Sequence, residues 1–497
     1  MQRNSDRLKY CVLLAATKLL CLRFLFSNFK LTHQLLMDFK LELPNEILII
    51  ILQNLCPQDL VSCSHTCWTW NNAANPLLYE TVSLSTCAMF QKFMECIIDP
   101  QNHDISCVEN AIDRHQPLGQ LVKTVDILVD YSEYDDLKNN STMLSRLASK
   151  TPNIHTSKLF LPILCSDHGS QHLFDWSTLA SQWTQLKSLT LRKALYYAAE
   201  EYNLNNINAV LNKLQHLDVA SCEYILTYMR PSLPSMPYLQ SFMANVFDTD
   251  DYQALKEILQ TCEDTLHTLI IGFYSIFRPL SINLDDLKVG RKQLKAFGLT
   301  THDDSQIHIS NLGENLEHLE WWTISNGDVY TLDHPINQAM MKTSNLKTLS
   351  VAGNMALDHI PLVLEANKDT LHTFYFDYMN RDNLIEYLQA YKMRLYNVTT
   401  LCFEFWSLDL SDVGLLAEIF PNVEFLGLCR DRLQHERSRH KMIRTEGLQW
   451  ITMDALSHFQ HLKAIDEITF LELVDQSSST YQKCNILRPK YTKRLRV

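Results

Sequence analysis

The chain has 497 residues, 46% of them apolar and 20% charged, which is enough for about three ordinary domains or one long repeat array. That apolar share excludes wholesale disorder. The formal net charge is −12, yet residues 1–36 carry +5 and residues 483–497 carry +6, so the stretch between them carries −23 and disfavours nucleic-acid phosphates while suiting a basic partner.

Residues 1–37 form an N-terminal extension. Its apolar stretch from Tyr10 to Phe26 is broken by Lys18 and Arg23, and no uncharged run reaches the roughly 20 residues of a membrane span. The interleaved charges do not follow the order of a secretory signal. A mitochondrial transit peptide and a true start at Met37 both stay open, and the second is favoured because the motif of the next element begins six residues later, at Leu43. No later segment reads as membrane-spanning.

The next element covers residues 38–82. Leu48, Ile51, Leu52 and Leu55 recur at helical spacing and form one apolar stripe, while Ile47 and Ile50 add a second apolar face. A helix apolar on two sides needs two covers. A three-helix unit supplies one, and a partner protein is the simplest second. Pro44 and Pro57 suit helix entrances, Asp59 suits a positive helix end, and Trp70 is placed to anchor a third helix.

The run Leu43-Pro44, Glu46-Ile47-Leu48, Ile51, Leu55, Asp59-Leu60, Cys63-Ser64, Cys67, Trp70 and Leu77-Leu78-Tyr79 resembles an F-box. Thr66 stands where Val is common in that family, and Tyr79 where Trp is common. The resemblance implies docking on a Skp-type adaptor and, through it, on the cullin and RING subunits of a ubiquitin ligase. It implies no catalytic residue. Adaptor contact is assigned to Leu43, Pro44, Ile47, Ile50 and Leu60, and the core of the box to Leu48, Leu52, Leu55 and Trp70.

Residues 83–119 read as a linker helix, Thr86 to Ile98 with Phe90, Phe93, Met94 and Ile97 on one side, followed by a connection. Over residues 120–475 a pattern of apolar residue, two variable residues, apolar residue, one variable residue and apolar residue recurs. It begins at Leu186, Leu214, Leu266, Leu294, Leu316, Leu346, Leu371, Val398 and Val423, with weaker copies at Val122, Ile154, Leu239 and Leu462. From 186 to 423 the steps run from 22 to 30 residues, close to the roughly 20–29 of leucine-rich repeats. Asp264-Thr265-Leu266-His267-Thr268 returns as Asp369-Thr370-Leu371-His372-Thr373 after four repeats. The predicted fold is therefore α/β: a three-helix F-box, then a degenerate right-handed leucine-rich-repeat solenoid, or horseshoe, with a parallel sheet on its concave face.

Alternation along each strand sends the fourth and sixth positions inward and the third, fifth and seventh to the concave face. Concave-face candidates for substrate contact are Arg192, His216, Asp218, His318, Glu320, Trp322, Tyr375, Asp377 and Glu404. Middle copies carry small residues such as Gly272, Ala296 and Gly298, which is expected to leave room for a partner. Trp322 and Tyr375, among Glu320, Asp377 and Glu404, suit a basic peptide or protein. A merely solvated sheet face competes with that reading.

Residues 431–445 read as a charged insertion, and the basic tail 476–497 as a nuclear address, a phosphate-binding tail or a solvated end. Fourteen cysteines lack any Cys-x-x-Cys spacing, which fits reduced thiols in cytosol or nucleus. Cys63, His65 and Cys67 would spread around a helix and make a poor metal set. Neither a phosphate-cradling glycine loop nor a hydrolase motif occurs, and the pairs Asp250-Asp251, Asp285-Asp286 and Asp303-Asp304 suit turns or helix starts. The expectation is a non-catalytic substrate receptor of an SCF-type ubiquitin ligase, cytoplasmic or nuclear, without cofactor, metal, nucleic acid or membrane. The alternative is a non-degradative F-box and leucine-rich-repeat scaffold.

Overall fold

The computed structural model describes residues 45–53, 55, 57–65, 68–98, 117–127, 141–160, 176–192, 204, 206–230, 236–274, 281–287, 292–302, 306–324, 335–352, 360–376, 388–404, 410–429, 458–462 and 464–465. The chain divides into two compact units, one of residues 1–159 with 178–186 and one of residues 160–177 with 187–497.

The first unit opens with α1 (Asn45–Leu52), α2 (Pro57–Ser64) and α3 (Trp68–Tyr79). Their core is Leu48, Leu52, Leu60, Ala73 and Ala74, with Leu55, Cys63, Trp70, Leu77 and Leu78 packed around it. Pro57 starts α2, where a missing N–H costs nothing, and Asp59 lies in its first turn. The Asn71 amide donates to the Ser64 carbonyl at 3.0 Å and ties α3 to the end of α2.

A single residue, Glu80, separates α3 from β1 (Thr81–Leu84). Its carbonyl accepts from the N–H groups of both Lys123 and Thr124, and its carboxylate meets Lys123 at 2.9 Å. There follow α4 (Cys87–Ile98), α5 (Leu118–Leu121), β2 (Thr124–Ile127), α6 (Ser141–Lys150), β3 (Thr156–Phe160) and α7 (Trp176–Gln182). β1, β2 and β3 pair in parallel with Thr81, Thr124 and Thr156 in register. In α4 the four apolar side chains foreseen on one side, Phe90, Phe93, Met94 and Ile97, are all buried. β1 itself was not foreseen: it is short, with Thr81 and Ser83 exposed.

In the second unit, β4 (Ser188–Arg192), β5 (His216–Ser221), β6 (Ser241–Val246), β7 (Thr268–Phe273), β9 (Ala296–His302), β11 (His318–Ile324), β12 (Thr348–Ala352), β13 (Thr373–Phe376), β14 (Thr400–Glu404), β15 (Phe425–Cys429) and β16 (Ala464–Ile465) lie side by side in chain order. Each begins two residues after the first apolar residue of a sequence copy, weaker copies included. Leu189, Leu217, Phe242, Leu269, Phe297, Leu319, Leu349, Phe374, Leu401 and Leu426 fall in register and are all buried. The parallel α/β repeat is thus a solenoid built from stacked apolar layers, since no single unit could hide its own.

The chain returns between strands by helices α8 (Asn208–Leu211), α9 (Ile225–Met229), α10 (Thr249–Thr261), α11 (Pro335–Met340), α12 (Ile360–Ala366) and α13 (Leu410–Ile419). Two returns instead contain β8 (Ser281–Asn283) and β10 (Gln306–His308), which pair with each other in parallel. The Tyr252 hydroxyl of α10 donates to the Asn283 carbonyl at 2.8 Å and accepts from the Asn283 N–H at 3.0 Å, joining helical and extended returns. Among the described residues, no helix is long and apolar enough to cross a membrane.

A polar ladder binds repeat to repeat. Asn153, Asn315, Asn345, Asn397 and Asn422 each stand just before the first apolar residue of a copy. Their amides donate to backbone carbonyls of the preceding repeat: Gln120, Lys292, Glu314, Asp369 and Tyr396. Thr265 and Thr370 occupy the same place and donate to the Leu239 and Leu346 carbonyls at 2.8 and 2.9 Å. The recurrence of Asp-Thr-Leu-His-Thr thus has a structural use.

Candidate functional site

The three helices carry more apolar surface than their core consumes. In α1, Leu48 and Leu52 sit one turn apart and point inward; Ile49 and Ile50, rotated by about 100° per residue, face out at 37% and 44% exposure. Val61 of α2 and Trp68 of α3 are exposed at 45% and 53%. Ile47 is partly exposed. Leu60, expected at the adaptor surface, is only 7% exposed and packs in the helical core, so its place is structural. Leu43 and Pro44 lie outside the described residues. The Cys63 thiol is pushed up to about 11, first by burial and then by Asp59, so it stays protonated and unreactive near neutral pH.

In the second unit, the residues assigned to the concave face do alternate with buried ones. Arg192 and Asp218 are partly exposed and His216 is exposed; the Asp218 carboxylate accepts from the Ala220 N–H at 3.2 Å. His318, Glu320 and Trp322 follow one another along the same side of β11. Burial holds the His318 imidazole below its ordinary value, with Glu317 pulling the other way, so it is neutral at neutral pH. Asp377 lies outside the described residues, and Glu404 closes β14.

Trp322 and Tyr375 meet although β12 lies between their strands. Their rings are parallel within 2°, with centroids 5.9 Å apart. Ser350 of β12 lies beneath, and the Trp322 indole N–H donates to its hydroxyl at 3.4 Å. The small residue Ser350, opposite Glu320 in the ladder, leaves room for this crossing. Both rings are partly exposed. Asp218 on β5 is four strand steps from β11, about 19 Å at the usual strand spacing. The assigned residues that are described therefore divide into a β4–β5 group and a β11–β14 group.

The expected room over the middle strands is already used. Ile270 leans over Gly298, where an added Cβ would lie 3.0 Å from it, and the Asn245 and Tyr274 side chains cover Gly272. A feature the sequence reading missed is the run Tyr224, Phe247 and Tyr274, just beyond three successive strands, with ring centroids 5.2 and 5.9 Å apart. The signal was an aromatic residue after each of three copies.

A family model described as F-box-like matches residues 41–85, the stretch holding α1, α2, α3 and β1. No curated protein matches the chain. Among solved structures, the chain is similar to one described as "Crystal structure of Rad7 and Elc1 complex in yeast", with 13% identity over 87% of this chain and 96% of that chain and a TM-score of 0.39.

Proposed function

We propose, from a chain that carries an F-box-like domain at residues 41–85 ahead of a parallel-strand solenoid, that it is the substrate-recognition subunit of an SCF-type ubiquitin ligase. The observation that carries this reading is the exposure of Ile49, Ile50, Val61 and Trp68 on three helices whose core is already filled. Apolar side chains left over after a core is complete suit a standing partner. A Skp-type adaptor covers them, with Leu43, Pro44, Ile47 and Ile50 in contact, and links the chain to the cullin and RING subunits.

The repeats hold a protein substrate, and the chain itself performs no chemistry. Its contribution is orientation, bringing substrate lysines near activated ubiquitin, where proximity replaces a costly encounter. The test is co-purification of adaptor and cullin with the full-length chain, against Ile50→Asp and a Leu43→Ala, Pro44→Ala double variant. Loss of both partners from the variants is expected; full retention overturns the docking assignment. Proteins that accumulate when residues 41–85 are deleted and the repeats kept are the expected substrates. If adaptor and cullin bind and nothing accumulates, the chain is a scaffold instead.

A further inference from the structure

We infer that the outward side of residues 391–396, formed by Tyr391, Lys392, Arg394 and Tyr396, is a docking surface for a short, extended acidic segment of a partner protein. The inference goes beyond the receptor reading above and stands without it. These residues lie in the return between β13 and β14. Exposure alternates along them: Lys392, Arg394 and Tyr396 are exposed, while Met393 and Leu395 are buried. An extended chain with that alternation sends the three exposed side chains to one side, about 6.6 Å apart. Of the four large apolar side chains that stand exposed in the second unit among the described residues, two belong to this stretch, Tyr391 at 52% and Tyr396 at 53%.

The stretch is set before any ligand arrives. The Met393 N–H donates to the Leu388 carbonyl at 3.2 Å and the Lys392 N–H to the Gln389 carbonyl at 2.8 Å, the two bonds that close a helix through a left-handed residue. That residue is Lys392, at φ 49°, where glycine sits without strain and lysine does not. The Leu395 N–H donates to the Ile419 carbonyl at 2.7 Å, and the Asn422 amide donates to the Tyr396 carbonyl at 2.9 Å. The Arg394 guanidinium donates to the Tyr396 hydroxyl, which leaves most of its five N–H donors for a ligand. A surface held this way loses little freedom on binding.

The chemistry selects the occupant. Two cations at alternate positions match the pitch of carboxylates at alternate positions of an extended peptide, and the guanidinium fork suits a carboxylate. Lys392 forms no ion pair among the described residues. Tyrosines beside an arginine are a composition favoured at binding hot spots. Glu418 of α13 stands within electrostatic reach of Arg394, and the chain between its two basic ends carries −23, so a long polyanion such as nucleic acid is repelled along most of its length. Salt screens that wider field beyond about 8 Å, which leaves a short acidic segment to the local cations.

The test uses the full-length chain and fluorescent peptides of equal length, measured by anisotropy. One peptide has glutamate at alternate positions, a second the same residues with the glutamates in one block, a third glutamine for glutamate, and a fourth phosphoserine for glutamate; a labelled single-stranded oligonucleotide is run beside them. The alternating glutamate peptide is expected to bind best, the block peptide more weakly and the glutamine peptide least. Arg394→Gln and Lys392→Gly should each weaken the alternating peptide by about tenfold. Lys392→Gly also relieves the left-handed backbone, so its urea midpoint should rise while its affinity falls, a combination that a merely structural lysine does not give. Equal binding of the glutamate and glutamine peptides, an affinity unmoved by both variants, no peptide binding to the unaltered chain, binding of the phosphoserine peptide alone, or tighter binding of the oligonucleotide overturns the inference.

Discussion

The carboxylate of Asp251 accepts hydrogen bonds from both the N–H and the hydroxyl of Thr227, at 3.1 and 2.8 Å, and so joins α10 to α9 of the preceding repeat. The Phe247 N–H donates to the other carboxylate oxygen at 3.2 Å. Asp251 is fully buried, and that burial pushes its carboxyl up to about 6 although the bonds from Thr227 and Phe247 pull it down. Folding thus takes up a proton that the unfolded carboxyl, near 3.8, would release. The sign follows: this group favours the folded state most below about pH 4, and its contribution falls as pH rises toward about 6. Urea unfolding from pH 4 to 6.5 should show a decline of up to about 3 kcal/mol relative to Asp251→Asn, which has no proton to lose. Parallel curves for the two proteins would refute it.

Core and surface of the helical module should separate cleanly. Leu52→Ala should cost about 2–5 kcal/mol in urea unfolding, because it empties a site with no exposure. Ile50→Ala should change stability by no more than about 0.5 kcal/mol, yet weaken adaptor capture. A stability loss at Ile50 as large as that at Leu52 would mean α1 is covered by its own chain.

The asparagine ladder should be felt locally. Asn345→Ala removes the 2.8 Å bond to the Glu314 carbonyl and should cost about 0.5–1.5 kcal/mol. Hydrogen exchange should quicken in β11 and β12 before it does in β5. Asn345→Asp, which cannot donate that bond, should do no better than alanine.

Gly298 and Ile270 should be coupled. Gly298→Ala brings a Cβ to 3.0 Å from both Ile270 γ-carbons and should cost about 1–3 kcal/mol. Adding Ile270→Ala should recover part of that loss, giving a coupling of about 0.5–3 kcal/mol in a double-mutant cycle. Additive losses would show that Ile270 does not press on this site.

The strands were legible because three apolar residues at fixed spacing encode both a strand and the side it buries; even the weak copies at Val122, Ile154 and Leu462 precede strands. β1 was hidden because its copy, Tyr79, Val82 and Leu84, starts on the last residue of α3, and only Leu84 of the strand is buried. β8 and β10 are three residues each, too short for any period to register. Leu60 was misassigned because a short helix leaves its inward side ambiguous, and packing in the shared three-helix core decided it. The partly exposed aromatics Trp322 and Tyr375 could be named from alternation, but their stacking depends on the register of three strands at once. The asparagines before five of the copies lie one position ahead of the apolar pattern, so the pattern by itself gives them no role.

Glu80 stands alone between the last turn of α3 and the first residue of β1, and its carbonyl is held by two N–H groups of the next repeat. A joint with one residue and two bonds has no slack for a swivel. Whatever grips the three helices therefore also dictates the bearing of β1, β2 and β3, as a handle dictates the angle of a blade forged with it.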